Sequence, residues 1–306
     1  MFVSSPYDRG VLPVGELVAV SRTVDDQGSS LLALRIARPW RAATARFLRS
    51  SANHVFVCDM GVLRFRPDAL EAVLGVAEAT SRLAEAGISL APPLRTAEGE
   101  LAASANGYAA TMSVGVAGRQ LDADSLTPDL ARAWGAGLAR FHDAASHVSP
   151  HVPTWIDTVA EAAKALGHQA IAGDLRGLPT SDELAGVVHG DPELDNVIWN
   201  ETGDPVFVDL DDLSRSWFAA DVAFALRDFV DSPLVDHFVA GYREARPLTD
   251  DELAWLPLFR RGHALVTLAR LEPVLAEPVA DDWPDWAKAL HARVGNVAAE
   301  LRRSLA

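Results

Sequence analysis

Apolar residues in the first third of the chain follow a strand pattern and then a helical pattern. Within residues 53–65, two short runs of strand-forming residues flank an Asp-Met-Gly turn, an order that predicts a β-hairpin. Over 70–84 the apolar residues recur at helical spacing, and Gly87 marks the end of the predicted helix. Residues 108–116 predict a further strand. We therefore expect a small sheet with one long helix in this part.

The second half of the chain is mostly helical in pattern. Thr127 is a cap residue at the start of one predicted helix, whose apolar positions recur as far as Phe141. Thr249 and Glu252 match a capping box that opens another helix. Residues 283–305 predict a last amphipathic helix.

Two further segments need separate interpretation. Segment 31–48 mixes Ala, Arg and Leu in a way that suits a helix, broken by Pro39. Segment 187–212 is the one clear β element among the later helices, because three runs of strand-forming residues occur in it. These runs are 187–188, 197–199 and 206–208.

Polar residues are concentrated between the same strand-forming runs. From His189 to Asp212 there are eight carboxylates, one histidine and two asparagines in 24 positions. The pattern places Asp191 and Asn196 in the loop before a hairpin, and Asp209 just past its second strand. A solvated acidic surface does not need this spacing. A site that holds a divalent metal and deprotonates a hydroxyl group does.

These residue types meet the requirements of phosphoryl transfer from ATP. One carboxylate has to orient the attacking hydroxyl and accept its proton, oxygen ligands have to hold Mg²⁺ against the phosphates, and a cation has to steady the phosphate chain. Asp191 is the candidate base. Asn196 and Asp209 are the candidate Mg²⁺ ligands, since magnesium uses a few protein oxygens together with phosphate and water. The short hairpin lets these two residues, 13 positions apart, converge on one metal.

The pattern HxDxxxxN, followed by an apolar hairpin and an Asp, resembles the catalytic loop and metal loop of the protein-kinase-like fold. The form HGDxxxDN…VDLDD is most similar to the aminoglycoside phosphotransferase and choline kinase-like family, and the resemblance runs from residue 52 to the end. It implies a bilobal α+β fold, with a small β-rich N-lobe containing one long helix and a larger, mainly helical C-lobe. The expected domains are 1–114, which clamps the nucleotide, and 115–306, which carries the catalytic loops. Residues 1–45 form an extension that the pattern does not need.

The chain departs from the family pattern at the phosphate-binding cation. The family usually has a lysine on the third strand, whereas the two lysines of this chain, Lys164 and Lys288, lie in the second half. The resemblance therefore implies that Arg64 contacts the phosphates. Glu78 is the expected helix carboxylate that pairs with Arg64, and Glu71 is its competitor.

The resemblance also implies further nucleotide contacts. The turn containing Ser51 and Asn53 corresponds to the nucleotide loop, although it lacks a glycine-rich run. The backbone from Met112 to Val114 is expected to meet the adenine. These assignments depend on the family pattern and not on spacing alone.

The other polar residues near the motif are expected to have structural roles, or have two alternative interpretations. His189 and Asp221 are expected to support the loop structurally. Glu193 and Asp195 face either the acceptor pocket or water. Asp211 either helps at the metal and acceptor site or braces its loop.

The net charge of the chain bears on the expected charge of the acceptor. The 306 residues carry a net charge of −15; residues 1–118 hold 11 Arg and 11 acidic residues, so all of the excess acidity lies in the rest of the chain. This acidity suits a cationic acceptor, and it is equally compatible with a role in solubility.

Composition excludes several classes of protein. No basic stripe is present, so we expect no nucleic-acid binding, and no apolar run is long enough to cross a membrane. Cys58 is the single cysteine, which excludes an intrachain disulfide and a cysteine-rich zinc site. The N-terminus has no signal-peptide pattern, so the expected location is the cytoplasm.

The sequence thus predicts an O-phosphotransferase that uses ATP and Mg²⁺ to phosphorylate a hydroxyl of a small molecule. An aminoglycoside-like antibiotic, an amino alcohol or an amino sugar would suit the acidity. Segment 241–243 also resembles homoserine-kinase-like relatives, so homoserine-kinase-like or protein Ser/Thr kinase activity is an alternative. A pseudokinase that only binds nucleotide is favoured by the missing lysine. A metal-dependent hydrolase using His142 and His189 is a third alternative.

Overall fold

A computed structural model of the chain describes residues 12–148 and 152–306, which form two compact units. The first unit contains the described residues through Ala77, together with Pro93–Val114 and Ala264–Ala306. The second contains Glu78–Pro92 and the described residues of Gly115–His263. Unit membership does not follow chain order, because the C-terminal segment belongs to the first unit. Functional domains of 1–114 and 115–306 stay a prediction.

The described residues contain the following helices and strands. The helices are α1 Val14–Ser21, α2 Leu31–Ala37, α3 Leu70–Glu85, α4 Pro128–Ser146, α5 Trp155–Leu166, α6 Gln169–Arg176, α7 Phe218–Ala225, α8 Leu234–Ala245, α9 Asp250–Leu275 and α10 Asp285–Leu305. The strands are β1 Ala45–Ser50, β2 His54–Cys58, β3 Val62–Arg66, β4 Ala103–Ala105, β5 Tyr108–Ser113, β6 Ala185–Val188, β7 Val197–Trp199, β8 Pro205–Phe207 and β9 Ser214–Trp217. None of the helices in these ranges is long and apolar enough to span a membrane.

The first unit is built on an antiparallel sheet with the strand order β1-β2-β3-β5-β4. The predicted hairpin is confirmed as β2 and β3, with Phe56 opposite Leu63. Strand β5 lies on the other side of β3, with Met112 opposite Leu63. Phe56, Leu63, Met112 and Phe65 are buried, so one face of the sheet forms the core of this unit. The strand expected over 108–116 ends earlier, at Ser113.

The expectation of a helix over 31–48 is wrong for its second half. Helix α2 is followed by a short 3-10 turn, and Arg41 adopts a left-handed conformation with a φ of 59°. Pro39 lacks the backbone N–H that a continuing helix requires, so the helix ends there. The following residues form β1, which pairs with β2, and the Phe47 ring packs edge-on against Phe56. This strand pairing overrides the helical propensity of the segment.

The described part of the N-terminal extension belongs to the fold of the first unit. Glu16 on α1 accepts a hydrogen bond from the Tyr108 hydroxyl at 2.8 Å, and its Oε1 lies 3.2 Å from Nε2 of His54. Ser50 bonds the other ring nitrogen of His54 at 2.8 Å. Burial lowers the pKa of His54, against the opposing effect of Glu16. These bonds fasten α1 to strands β1, β2 and β5.

The second unit contains two small sheets among helices. Strands β7 and β8 form the hairpin that the sequence predicts. Strand β9 pairs antiparallel with β6 and was not expected, because its sequence Ser-Arg-Ser-Trp has little strand character. The predicted capping box is confirmed: the Thr249 hydroxyl accepts from the Glu252 N–H at 3.2 Å, and the Glu252 carboxylate accepts from the Thr249 N–H at 2.8 Å.

Helices α4 and α8 approach each other closely at two glycines. A Cβ atom at Gly135 would overlap the carbonyl oxygen of Phe238, and one at Gly241 would overlap the carbonyl oxygen of Arg132. Backbone and not side chain therefore forms the centre of this contact. His142 of α4 and Tyr242 of α8 are hydrogen-bonded to each other, so the close contact of the helices also positions these two side chains.

We expect Gly241→Ala to lower the free energy of unfolding by about 2 kcal/mol or more, because the added methyl group meets backbone that cannot rotate away. Gly75→Ala, in α3, is the matched control, since nothing lies within 4 Å of its added Cβ. This control should be neutral or stabilising by about 0.5–1 kcal/mol. Urea unfolding of both variants measures the difference. A Gly241→Ala variant as stable as the parent would contradict the packing described.

Candidate active site

The backbone of the loop after β6 is held by the carboxylate of Asp221, on α7. Oδ2 of Asp221 accepts from the His189 N–H at 2.7 Å, and Oδ1 accepts from the Gly190 N–H at 2.9 Å. Asp221 and His189 are fully buried. Hydrogen bonds to an ionised acceptor are about twice as strong as neutral ones, so this bidentate contact fixes where the loop begins.

Asp221 is itself held by a buried chain of two side chains. Nε2 of His142 lies 2.9 Å from Oδ2 of Asp221, and Nδ1 of His142 lies 2.8 Å from the Tyr242 hydroxyl. Burial lowers the pKa of His142, although the neighbouring Asp221 opposes the shift. Burial also raises the pKa of Tyr242, so its hydroxyl stays protonated. A neutral His142 that donates from Nε2 and accepts at Nδ1 satisfies all three groups.

Gly190 is required at its position for two reasons. Its φ is +85°, a conformation that side chains disfavour, and an added Cβ would overlap the carbonyl oxygen of Asp212. The catalytic-loop glycine of the sequence motif therefore reflects the close passage of the loop beside the segment after β8.

His189 links the loop to the strand that precedes Asp209. Its Nδ1 lies 3.3 Å from the Asp191 backbone nitrogen, and its Nε2 lies 3.2 Å from the Val208 carbonyl oxygen. A backbone nitrogen only donates and a carbonyl only accepts, so the ring is the neutral tautomer with its proton on Nε2. Structural support of the loop by His189 stays a prediction.

The candidate base and one candidate metal ligand are in direct contact. Nδ2 of Asn196 donates to the carbonyl oxygen and to Oδ2 of Asp191, both at 3.0 Å. These bonds determine which way the amide faces. Oδ1 of Asn196 is consequently left buried and without a hydrogen-bond partner among the described residues. An orphaned buried oxygen of this kind is where a cation would be expected to bind.

Asn196 and Asp209 are brought close together by the hairpin. The Val208 N–H donates to the Asn196 carbonyl at 3.0 Å, and Asp209 is the next residue. Asp209 has a φ of 65°, which is unusual for a residue with a side chain and is commonly found at functional positions. The hairpin therefore delivers both candidate Mg²⁺ ligands to one end of the β7–β8 pair.

The donor set fits magnesium. The candidate ligands are one amide oxygen and one carboxylate, and Mg²⁺ would complete its shell with phosphate and water oxygens. No group of three or more His, Cys, Asp or Glu side chains in the described ranges is arranged to hold a metal. Both ring nitrogens of His142 are engaged by Asp221 and Tyr242, so this ring does not serve the hydrolase alternative.

Arg227 is a site residue that sequence reasoning missed. It lies in a 3-10 turn just after α7, and Nη1 donates to Oδ1 of Asp191 at 3.1 Å. Its Nη2 contacts Oε2 of Glu193, and Nη1 lies 3.3 Å from Nε2 of His263. Arg227 and Asp191 are 36 positions apart, and no local pattern predicts their contact.

The acidic residues around the motif have different environments. Glu193 is 4% exposed, which excludes the water-facing alternative, and its Oε1 has no hydrogen-bond partner among the described residues. Asp195 and Asp211 are half-buried. Acceptor binding by any of the three stays a prediction.

The nucleotide-binding candidates lie mostly in the first unit. Arg64 is on β3, opposite Val55 on one side and Thr111 on the other. Met112 is buried on β5, and Val114 follows that strand with 39% of its surface exposed.

The turn between β1 and β2 contains the other two candidates of this unit. The Ser51 N–H donates to the carbonyl of Asn53 at 3.0 Å. Glu71 and Glu78 are exposed on α3, and Glu78 belongs to the second unit. The ion pair of Arg64 with either glutamate, and the nucleotide contacts, stay predictions.

Comparison with known proteins identifies relatives of this chain. Residues 44–258 match the profile of the phosphotransferase enzyme family. A homoserine kinase from Methylobacillus flagellatus is 28% identical over 247 residues, covering 72% of this chain and 76% of that protein.

Solved kinase structures share the fold. One is the amicoumacin kinase hAmiN in complex with AMP-PNP, Ca²⁺ and its antibiotic, with a TM-score of 0.69 and 19% identity over 92% of this chain and 96% of that chain. Another is a microcompartment-associated aminopropanol kinase, with a TM-score of 0.60 and 17% identity over 95% and 97%. A spectinomycin phosphotransferase in complex with ADP and its antibiotic has a TM-score of 0.61 and 13% identity over 91% and 99%. These likenesses confirm the protein-kinase-like fold predicted from the motif.

The buried His142 makes stability depend on pH. Its folded-state pKa is lowered from the ordinary value of 6.5. The unfolded chain therefore takes up a proton near pH 6.5 that the folded chain refuses, and stability falls as the pH drops below 6.5 towards the folded-state pKa. We expect the stability advantage of the parent protein over His142→Gln to shrink between pH 7.5 and 5.5.

Urea unfolding at the two pH values measures this effect. His147→Gln, an exposed histidine directly after α4, controls for the removal of a histidine. An advantage over His142→Gln that stays constant with pH would show that the His142 proton does not contribute.

Proposed function

Because the chain belongs to the phosphotransferase enzyme family, we propose that it transfers the γ-phosphoryl group of ATP to a hydroxyl group of a small molecule. The observation that carries this proposal is the Asp191–Asn196 contact in a loop whose backbone is held by Asp221. The contact leaves the Asn196 amide oxygen buried and without a hydrogen-bond partner among the described residues. The proposal makes Asp191 the catalytic carboxylate and Asn196 with Asp209 the magnesium ligands, which are the groups that phosphoryl transfer requires.

Asp191 acts on the attacking hydroxyl. One of its oxygens accepts from Asn196 and the other from Arg227, and the acceptor hydroxyl would donate to the same carboxylate. The acceptor oxygen bonds to the γ-phosphorus while the bond from that phosphorus to the bridging oxygen of ADP breaks. The hydroxyl proton passes to Asp191. Orientation of the hydroxyl contributes more than the basicity of the carboxylate.

Asn196 Oδ1 and the Asp209 carboxylate would hold the magnesium ion. When bound, the ion neutralises negative charge on the phosphates. Support for this assignment comes from the left-handed backbone at Asp209 and from the backbone hydrogen bond between Val208 and Asn196.

The first unit supplies the proposed nucleotide contacts. Arg64 replaces the usual lysine and binds phosphate oxygens, for which a guanidinium offers a planar fork of donors. Ser51 and Asn53 form the loop over the phosphates, and the backbone from Met112 to Val114 meets the adenine. Support comes from their positions on adjacent elements of one sheet.

Loss of Asp191 should abolish turnover. Asp191→Asn keeps the shape of the side chain and removes its charge, so acceptor-stimulated ATP consumption should fall by about 10²-fold or more while ATP binding is retained. Asp204→Asn, an exposed residue of the β7–β8 turn, is the matched control and should keep full activity. The assay uses purified protein, Mg²⁺ and a panel of cationic antibiotics, amino alcohols, amino sugars and homoserine.

The panel also distinguishes an enzyme from a pseudokinase. Turnover that depends on one acceptor and disappears in Asp191→Asn supports the proposed function and names the acceptor class. Turnover that survives in Asp191→Asn would contradict the role of this residue. Nucleotide binding with no turnover across the panel would favour the pseudokinase.

A second candidate acceptor, an amino acid with a hydroxyl group such as homoserine, is favoured by Arg260. Burial lowers the pKa of the half-buried Arg260 guanidinium, and its Nε has no hydrogen-bond partner among the described residues. Arg260 lies one helical turn before His263 on α9, and His263 contacts Arg227. The neighbouring Asp231 opposes the lowering of the Arg260 pKa, and a carboxylate of the acceptor would be a second partner of the guanidinium. The relative from Methylobacillus flagellatus is named a homoserine kinase.

We expect Arg260→Met to raise KM for homoserine about tenfold or more, since a charge-assisted hydrogen bond contributes about 1.5–3 kcal/mol. KM for amino alcohols that lack a carboxylate should not change. Arg261→Met, an exposed neighbour on α9, is the control. Equal changes of KM for both acceptor types would eliminate Arg260 as a carboxylate-binding residue.

A further inference from the structure

Arg227 joins two buried carboxylates of the catalytic loop. Its Nη1 donates to Asp191 at 3.1 Å and its Nη2 contacts Glu193. The side chains of Arg227, Asp191 and Glu193 are 11%, 2% and 5% exposed. Because these three charges are largely removed from water, their contacts are screened far less than those of a surface ion pair.

The two oxygens of the Asp191 carboxylate are held from opposite chain segments. Oδ2 accepts from Asn196, five residues later in the same loop, and Oδ1 accepts from Arg227. A single contact would leave the carboxylate plane free to turn about its last bond, whereas contacts at both oxygens fix the plane. The direction in which the carboxylate presents its lone pairs therefore depends on Arg227.

The guanidinium is in turn positioned by its other neighbours. Nη1 lies 3.3 Å from Nε2 of His263, on α9, which must accept because the guanidinium only donates. The segment that contains Arg227 also contains Asp221, whose carboxylate holds the loop backbone. One short stretch after β9 thus fixes the backbone of the catalytic loop through Asp221 and its reactive side chain through Arg227.

We propose that Arg227 is a positioning residue for the phosphoryl transfer, which orients the Asp191 carboxylate towards the acceptor hydroxyl while Glu193 holds the far side of the guanidinium. This proposal rests on the function proposed above. It assigns Arg227 no contact with the nucleotide or the acceptor. Its effect should therefore be seen in kcat and not in either KM.

Chemical rescue tests the proposal. In Arg227→Ala, kcat should fall by about 10²-fold with little change in KM for ATP or acceptor, because a catalytic group that is misplaced by about 1 Å costs that much. Millimolar guanidinium ion should restore part of kcat by occupying the vacated position. Arg227→Lys should recover little of the lost kcat, since an ammonium group cannot bridge two carboxylates as a fork. Arg215→Ala, an exposed arginine of the same unit, is the control.

A purely structural role would give a different result. In that case Arg227→Ala would unfold at lower temperature, but the kcat of the folded fraction would equal that of the parent protein and guanidinium would have no effect on it. Either of these two findings, an unchanged kcat or the absence of rescue, would overturn the proposal.

A second readout separates this proposal from the proposed function. The side-chain amide of Asn196 donates to Asp191, so its NMR signal reports the position of the carboxylate without any turnover. We expect this signal to shift in Arg227→Ala and to return on addition of guanidinium. If the parent protein phosphorylates no acceptor, the proposed function fails, and the NMR result alone decides whether Arg227 positions Asp191. An unshifted signal overturns the role of Arg227 whether or not the enzyme is active.

Discussion

The carboxylate of Asp221 is the constraint on which the rest of the candidate site depends. It is fully buried, and it is held there by the backbone N–H groups of His189 and Gly190 and by the ring of His142. A buried charge is tolerated when donors surround it in this way, and the removal of one donor leaves the charge uncompensated. These hydrogen bonds therefore fix the backbone of the loop beside α7, and the position of Asp191 depends on that backbone.

Further hydrogen bonds fix the residues that follow in this loop and in the adjoining hairpin. His189 bonds the Val208 carbonyl, and the Val208 N–H donates to the Asn196 backbone carbonyl, so Asp209 follows directly after a residue that is paired with Asn196. The Asn196 amide is turned by Asp191, which directs its oxygen away from protein donors. The hydrogen bond that holds the candidate base thus also orients one of the two candidate metal ligands. A change at Asp191 would therefore alter the orientation of the Asn196 amide.

Sequence reasoning succeeded where the deciding contacts are local. The hairpin of β7 and β8 brings Asn196 and Asp209 together over 13 residues, and strand pattern and turn chemistry are enough to predict it. It failed where contacts between segments distant in sequence determine the structure. Arg227 reaches Asp191 across 36 positions, and the strand character of β1 and β9 comes from pairing with β2 and β6 and not from their own propensity. The role of Arg64 and its pairing with Glu78 or Glu71 depend on the family pattern and stay predictions.

The charged groups around Asp191 differ from the net acidity of residues 119–306. The acidity of residues 119–306 suggested a cationic acceptor, yet the two buried carboxylates of the catalytic loop share the guanidinium of Arg227. A second guanidinium, that of Arg260, lies one turn away from His263 on the same helix and has an orphaned Nε among the described residues. In a largely buried site, the charged groups nearest to the acceptor have the greatest effect on which acceptor is bound, because distant charges are screened. Under the proposed function, an acceptor with both an ammonium and a carboxylate group would match these local charges, whereas a polycation would match only the net charge.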